Sequence, residues 1–375
     1  MKKSWSDCKK ILCIRADNMG DLLMSSPAIR ALKKSFPCTI TALTSSMAAP
    51  IAGYIPGIDE VITCDFPWVK INHSMGGDNF LQVVEKIKQV QFDAAVIFTV
   101  YSQNPLPAVM LAYLAGIPLR LAYCRENPYD LLTDWVSDKE PYTFIRHQVQ
   151  RDLDLVAAVG AYTDDNKLAL QVLPDAWDRA EQKLAALGHN LQSPWLIMHS
   201  GVSEKKREYS AAGWVAAGKR IVHELGYQVL LTGVEKEKEL TDQLQKEIGP
   251  GAVSLAGSLS LEEYIALVYR APLVISVNTG TIHIAAALSV PVLVLYALTN
   301  PQHLPWKGKG KALLFSIPET ERSRNEVISH VHNRLFPSGV YTVTPDEIVQ
   351  AADELLKGEM PPMPELVPLR PVPPE

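Results

Sequence analysis

"APLVISVNTGTIHIAAALSVPVLVLY", residues 271–296, decides the fold. Its flanks, PLVISV and PVLVLY, are continuous runs of branched and aliphatic residues without polar alternation, the pattern of strands buried on both faces. Between them Asn278, Thr279, Gly280 and Thr281 break the apolar run, and IHIAAAL then reads as a helix. Strand, polar turn, helix and strand make a βαβ unit, from which parallel sheets are built.

The same order repeats outward. The runs WLIMHS (195–200), YQVLLTG (227–233) and AVSLAG (252–257) alternate with amphipathic stretches at 175–187, 210–225 and 235–248. Ser260 and Glu263 have the spacing of a capping box for a further helix. Nearer the N-terminus, ILCIR (11–15), TITALTS (39–45), EVITCD (60–65), DAAVIFTV (93–100) and LRLAY (119–123) alternate with helical stretches, the last at 144–160. A polar stretch without one clear period, 161–174, separates the two series. Thr344, Pro345 and Glu347 open a last helix running to Lys357, and a proline-rich tail follows. The reading is an α/β protein of two Rossmann-like domains, 1–165 and 166–343, with a helix at 344–358 and a disordered tail at 359–375.

The bulk numbers agree with two domains, since 375 residues exceed one ordinary core. A hydrophobic fraction of 47% with 21% charged residues is that of a soluble globular protein, and a net charge of −5 gives no reason to expect nucleic acid. The five cysteines include no CxxC pair, and read as reduced thiols of a cytosolic protein. The opening MKKSWSDCKKILCIR has an apolar run of only four residues and reads as neither signal peptide nor membrane span.

Three stretches could carry chemistry. In the opening motif, a strand that ends in a Gly-containing turn and starts a helix offers free N–H groups and a positive dipole end, which suit an anion. Thr279, Gly280 and Thr281 line that turn and His283 follows on its first helical turn; an ordinary Asn/Thr cap with a packed histidine is the other reading. In IRADNMGDLL (14–23), Asp21 stands where a helix begins beyond a strand end, placed as a general base or simply as a cap. In HSGVSEKKREYSAAGW (199–214), Ser200 ends a strand and Lys205, Lys206 and Arg207 follow, suited to a diphosphate or else a solvated charge run.

Three other patterns are decoys. GWVAAGKR (213–220) approaches a P-loop but has Arg220 where the metal-binding hydroxyl belongs. The DLD at 152–154 lies within a helical stretch, where residues two apart point in different directions. No GxGxxG follows a strand, so no nicotinamide or flavin cofactor is expected.

Taken in order, ILCIRADNMGDLLMSSPAIRALKKSFP (11–37), KREYSAAGW (206–214) and VISVNTGTIHIAAALSVPVLVLYALTNP (274–301) resemble glycosyltransferase family 9, the ADP-heptose:lipopolysaccharide heptosyltransferase family. The similarity runs from about Lys10 to Lys357. It implies a GT-B fold, two facing Rossmann-like domains with the acceptor on the first and a nucleotide sugar on the second, and a C-terminal helix crossing back toward the first. It also implies inverting, metal-independent transfer of a sugar, heptose in this family, from a nucleoside-diphosphate donor such as an ADP-sugar to a glycan or glycolipid, with no cofactor. By this resemblance Asp21 is the general base and Arg207 meets the departing diphosphate. Lys206, Ser200, Asn278, Thr279, Gly280, Thr281 and His283 bind the donor, Glu237 (or Glu235) its ribose, and Arg15, Asn18 and Gly20 lie on the acceptor side. A glycolipid acceptor implies a cytoplasmic enzyme touching the inner membrane face. Asn278 departs from the family's usual Asp, and Tyr209-Ser210 from its common Trp-Pro. Two further readings compete: a nucleotide-sugar epimerase or hydrolase of the same fold, and a non-catalytic nucleotide-sugar-binding member.

Overall fold

The computed structural model describes residues 4–69, 76–187, 189, 192–336 and 339–364. The chain divides after Gln171 into two compact units, six residues beyond the expected boundary.

The first unit is a six-stranded sheet in the order β3-β2-β1-β4-β5-β6. Its strands are β1 (Lys10–Arg15), β2 (Thr39–Thr44), β3 (Glu60–Thr63), β4 (Ala94–Ile97), β5 (Leu119–Cys124) and β6 (Asp134–Ser137). All its neighbours pair in parallel. The helices are α1 (Met19–Met24), α2 (Ser26–Ser35), α3 (Ala49–Ala52), α4 (Gly77–Val90), α5 (Leu106–Leu114) and α6 (Gln148–Ala157). Leu12 and Ile14 of β1 meet Ile87 of α4 and Val109 of α5 in one apolar core. The buried central strand explains why KILCIR shows no alternation.

The second unit repeats the topology, with the order β12-β11-β10-β7-β8-β9. Its strands are β7 (Trp195–His199), β8 (Gln228–Thr232), β9 (Ala252–Ser254), β10 (Val274–Val277), β11 (Val292–Ala297) and β12 (Gly310–Phe315), again all parallel. Helices α7 (Ala176–Ala186), α8 (Ala211–Arg220), α9 (Lys238–Ile248), α10 (Leu261–Arg270), α11 (Gly280–Ala287), α12 (Glu326–Arg334) and α13 (Pro345–Leu356) accompany them. Gly310 starts β12 at φ +141°, and a Cβ there would fall 1.9 Å from the Val292 carbonyl oxygen. Only glycine fits.

Both sheets reverse their strand order beside the first strand of the unit, between β1 and β4 and between β7 and β10. In open α/β sheets such a switch point forms the crevice where ligands bind. The capping boxes read at Ser260/Glu263 and Thr344/Glu347 are both formed.

The expectation for the C-terminus was a helix packing back toward the first domain; α13 buries its apolar face in the second unit, where Ile348, Val349, Ala352 and Leu355 join the core that contains Leu293 and Trp214. Their spacing, at 348, 349, 352 and 355, makes one continuous stripe, which α8 and the β11–β12 side of the sheet cover. The tail is also ordered at its start, since Gly310 N–H donates to the Pro361 carbonyl and Met363 N–H to that of Gly308, both at 2.9 Å. Residues 365–375 of the expected disordered tail lie outside the described residues.

Candidate active site

At the switch point of the first sheet, β1 ends in Arg15, whose side chain is fully enclosed. Its Nε lies 3.0 Å from Asp17 Oδ2 and its Nη2 donates to Asp21 Oδ1 at 3.2 Å. Asp21, in the first turn of α1, also accepts the Asn18 N–H at 3.2 Å. The cap and the functional candidate are thus the same carboxylate, and each oxygen has a separate donor. Thr44 Oγ1 donates to the Arg15 carbonyl at 2.7 Å and fixes the strand end. Behind it, Asp152 of α6 accepts from Ser25 Oγ at 2.6 Å and from Gln148 Nε2 at 2.7 Å. Burial opposes the positive charge of Arg15, yet the three carboxylates Asp17, Asp21 and Asp152 outweigh it and hold the guanidinium above its usual value.

At the switch point of the second sheet, the loop after β7 meets the turn after β10. Ser276 of β10 pairs in register with His199 of β7. Arg207 reaches across to donate to the Asn278 carbonyl at 3.2 Å through Nη1, while its Nη2 pairs with Glu204 at 3.2 Å. Lys206 lies 3.4 Å from the same Glu204. Two donors here are buried without a hydrogen-bond acceptor: Arg207 Nε and the Ser200 hydroxyl. Ser200 is 2% exposed. Buried polar groups are normally paired, and this pair of donors beside a helix start is suited to hold an anion.

The turn is held from below. Thr281 Oγ1 lies 2.9 Å from the Tyr264 hydroxyl, and His199 Nδ1 lies 3.1 Å from Thr232 Oγ1. Burial first, with the Glu237 charge against the threonine hydrogen bonds, raises the Tyr264 phenol to about 12. Burial alone lowers His199 to about 4, so the ring is neutral and serves as a hydrogen-bonding partner. Glu237 caps its own turn through the Val234 N–H at 2.9 Å and fills the space beside Gly201, where a Cβ would meet its carboxylate carbon at 2.3 Å. Glu235 lies instead against Gly257.

Thus Ser200, Lys206, Arg207, Glu237 and the Asn278–Thr281 turn gather at one switch point, and Arg15, Asn18, Gly20 and Asp21 at the other. His283 is buried against the His303 ring at 6.4 Å. The Asn278 carboxamide turns into the sheet: it donates to the Ala297 carbonyl at 3.3 Å and to Thr299 Oγ1 at 3.1 Å, and accepts the Ala297 N–H at 3.1 Å. The sequence does not single out Asp17, Thr232 or Tyr264, although Asp17 lies in IRADNMGDLL and Thr232 in YQVLLTG. The DLD decoy resolves as read, since Asp152 faces Ser25 while Asp154 pairs with Arg146. Among the described residues no group of three His, Cys, Asp or Glu could hold a metal ion.

Solved structures share this architecture. The structure of the E. coli ADP-heptose lps heptosyltransferase II matches with a TM-score of 0.70 at 21% identity, over 93% of this chain and 99% of its own. A glycosyl transferase family 9 structure from Veillonella parvula matches with a TM-score of 0.73 at 17% identity, over 95% and 99%. The fold is therefore GT-B, built on two Rossmann-like domains. Among relatives in sequence, lipooligosaccharide heptosyltransferase 2 of Haemophilus ducreyi is 24% identical across 92% of this chain and 99% of its own length. Lipopolysaccharide heptosyltransferase 2 of Escherichia coli is 23% identical across 93% and 99%. The model of "Glycosyltransferase family 9 (heptosyltransferase)" matches residues 80–331, and the chain belongs to that family. It is an enzyme, a glycosyltransferase.

Proposed function

We propose that the protein transfers heptose from ADP-heptose to the core of a lipopolysaccharide, inverting the anomeric centre and using no metal. The observation that carries this reading is the switch point of the second sheet, where Arg207 Nε and Ser200 Oγ are buried donors without acceptors beside the first turn of α11. A diphosphate satisfies all three: the two side-chain donors and the free N–H groups of Gly280 and Thr281. The full-length likeness to heptosyltransferase 2 relatives supports heptose and a lipopolysaccharide acceptor.

Asp21 takes the proton from the acceptor hydroxyl as that oxygen bonds to the anomeric carbon. The bond from that carbon to the diphosphate oxygen breaks, and its electron pair leaves with the phosphate. The growing charge on the leaving group needs fixed positive potential, which Arg207, Lys206 and the α11 start supply in place of a cation. Glu237 beside Gly201 is the carboxylate for a ribose hydroxyl, and the Asn278 carboxamide shapes the turn from behind. An acceptor with a lipid anchor places the reaction at the cytoplasmic face of a membrane. The contact proposed there is peripheral; among the described residues no helix is long and apolar enough to cross a membrane.

The test incubates the protein with ADP-heptose and lipopolysaccharides truncated to bear no heptose or one. Mass spectrometry reads the gain of a single heptose, and the run is repeated with EDTA. Gain on one acceptor, undiminished by EDTA, supports the proposal. Release of free heptose without an acceptor, or activity abolished by EDTA, refutes it.

A further inference from the structure

One guanidinium serves two carboxylates at the end of β1. Asp17 and Asp21 each lie against the fully enclosed Arg15 side chain, at 3.0 and 3.2 Å, and each carboxylate side chain is only 11% exposed. Asp21 is explained as a helix cap and as the base. Asp17 caps nothing. It is nonetheless held on three sides: Arg15 Nε from β1, the Gln103 amide donating to its Oδ1 from beyond β4, and Ser45 Oγ donating to its carbonyl from beyond β2.

We propose that Asp17 is a positioning residue for the transfer reaction, which divides the charge of Arg15 with Asp21 and thereby holds Asp21 more basic than Arg15 alone would leave it. The inference rests on reading Asp21 as the base. An undivided guanidinium stabilises the ionised carboxylate beside it and weakens that carboxylate's pull on a proton. A second anion on the same guanidinium offsets this, and the repulsion between the two carboxylates acts in the same direction. The buried Arg15 cannot rotate away, because Thr44 fixes its backbone and both carboxylates fix its fork.

The charged groups that face Asp17 are Arg15 from β1, Asp21 from α1 and Asp152 from α6, with Gln103 as a neutral donor. Burial first, then the like charges of Asp21 and Asp152, push Asp17 up to about 6 against Arg15 and Gln103. Below that pH Asp17 is neutral and Arg15 acts on Asp21 undivided. The pair titrates as a unit, so the change appears in the pH profile of turnover.

The experiment compares the full-length wild type with Asp17→Asn, Gln103→Leu and Asp21→Asn, using ADP-heptose and the truncated lipopolysaccharide that the wild type accepts. The wild type is expected to show an acid limb in kcat/KM near pH 6. In Asp17→Asn the plateau kcat falls by about tenfold, as expected for a weaker base, the donor KM is unchanged, and the limb near pH 6 disappears. Gln103→Leu removes only a donor that favours ionised Asp17, so its limb moves to higher pH. A fall in Asp17→Asn by one factor at every pH, with the limb in place, overturns the proposal. Carbon-13 carboxyl resonances supply a readout independent of turnover: the Asp21 titration moves to lower pH in Asp17→Asn, and an unmoved titration also overturns it. Full turnover by Asp21→Asn would remove the base itself, whereas an inactive Asp21→Asn with an unmoved limb in Asp17→Asn removes only the role of Asp17.

Discussion

Arg207 donates from Nη1 to the main-chain carbonyl of Asn278 at 3.2 Å, across seventy-one residues of sequence. The bond ties the loop after β7 to the turn after β10, and leaves Nε of the same guanidinium buried without an acceptor. A guanidinium pinned at one nitrogen presents the others in a fixed direction, which suits a planar, two-point grip on phosphate oxygens.

Replacing Arg207 by alanine should therefore reduce kcat/KM by about 10²–10³, the usual cost of removing one donor aimed at developing charge. Arg207→Lys keeps the charge but not the fork, and should recover only part of the loss. Steady-state rates with ADP-heptose measure both, and calorimetry with ADP separates the ground-state share. Equal loss of ADP affinity and of kcat/KM would place Arg207 in binding alone.

Asp21→Asn should retain the fold and ADP binding while lowering turnover by about 10²–10⁴, the range for a positioned general base. An asparagine oxygen can still accept the Asn18 N–H, so the start of α1 survives. Initial rates and a thermal melt on the same preparation test this. Near-normal turnover would eliminate Asp21 as the base.

Asn278→Asp makes a third case, because it restores the residue usual in the family without restoring its chemistry. The Asn278 amide donates to the Ala297 carbonyl and Thr299 Oγ1. A carboxylate has no donor and would face that carbonyl with a charge. The expected outcome is a loss of about 1–3 kcal/mol in stability, the cost of a buried group left unpaired, with no gain in turnover. Urea denaturation measures the first and initial rates the second. A variant as stable as wild type would show that the inward carboxamide is dispensable.

The sequence carries the central strands plainly, because a parallel strand buried on both faces is a continuous apolar run, as in β1 and β10–β11. Two of the four edge strands leave a fainter trace. Residues Asp134–Ser137 of β6 are half exposed in alternation, and Gly310–Phe315 of β12 follow a charged stretch; neither was expected. The α13 stripe was legible, but which core covers it was not, since periodicity fixes a face and not its partner. At the site, Asp21 and the Asn278–Thr281 turn stand out by their place beyond strand ends. Asp17 does not, because nothing in its spacing tells that Arg15 folds over both carboxylates. Thr232, Tyr264 and Thr281 come together only through the packing of β8, α10 and α11, and the inward turn of Asn278 is a matter of rotamer.

His199 gives a prediction on stability. Its folded value, lowered by burial to about 4, lies below the ordinary histidine value of about 6.5, so the fold favours the neutral ring. The stability that this contributes is fully present above pH 6.5 and is lost as the pH falls toward 4, when the unfolded chain takes up the proton first. His199 as a residue is partly exposed, which screens the charge and keeps the loss on the order of 1–2 kcal/mol. In His199→Gln the amide can still bond Thr232 Oγ1 but does not titrate, so the acid loss in chemical denaturation should shrink by that amount between pH 7 and pH 5. Parallel curves for wild type and variant over that interval would show that His199 is not the group responsible.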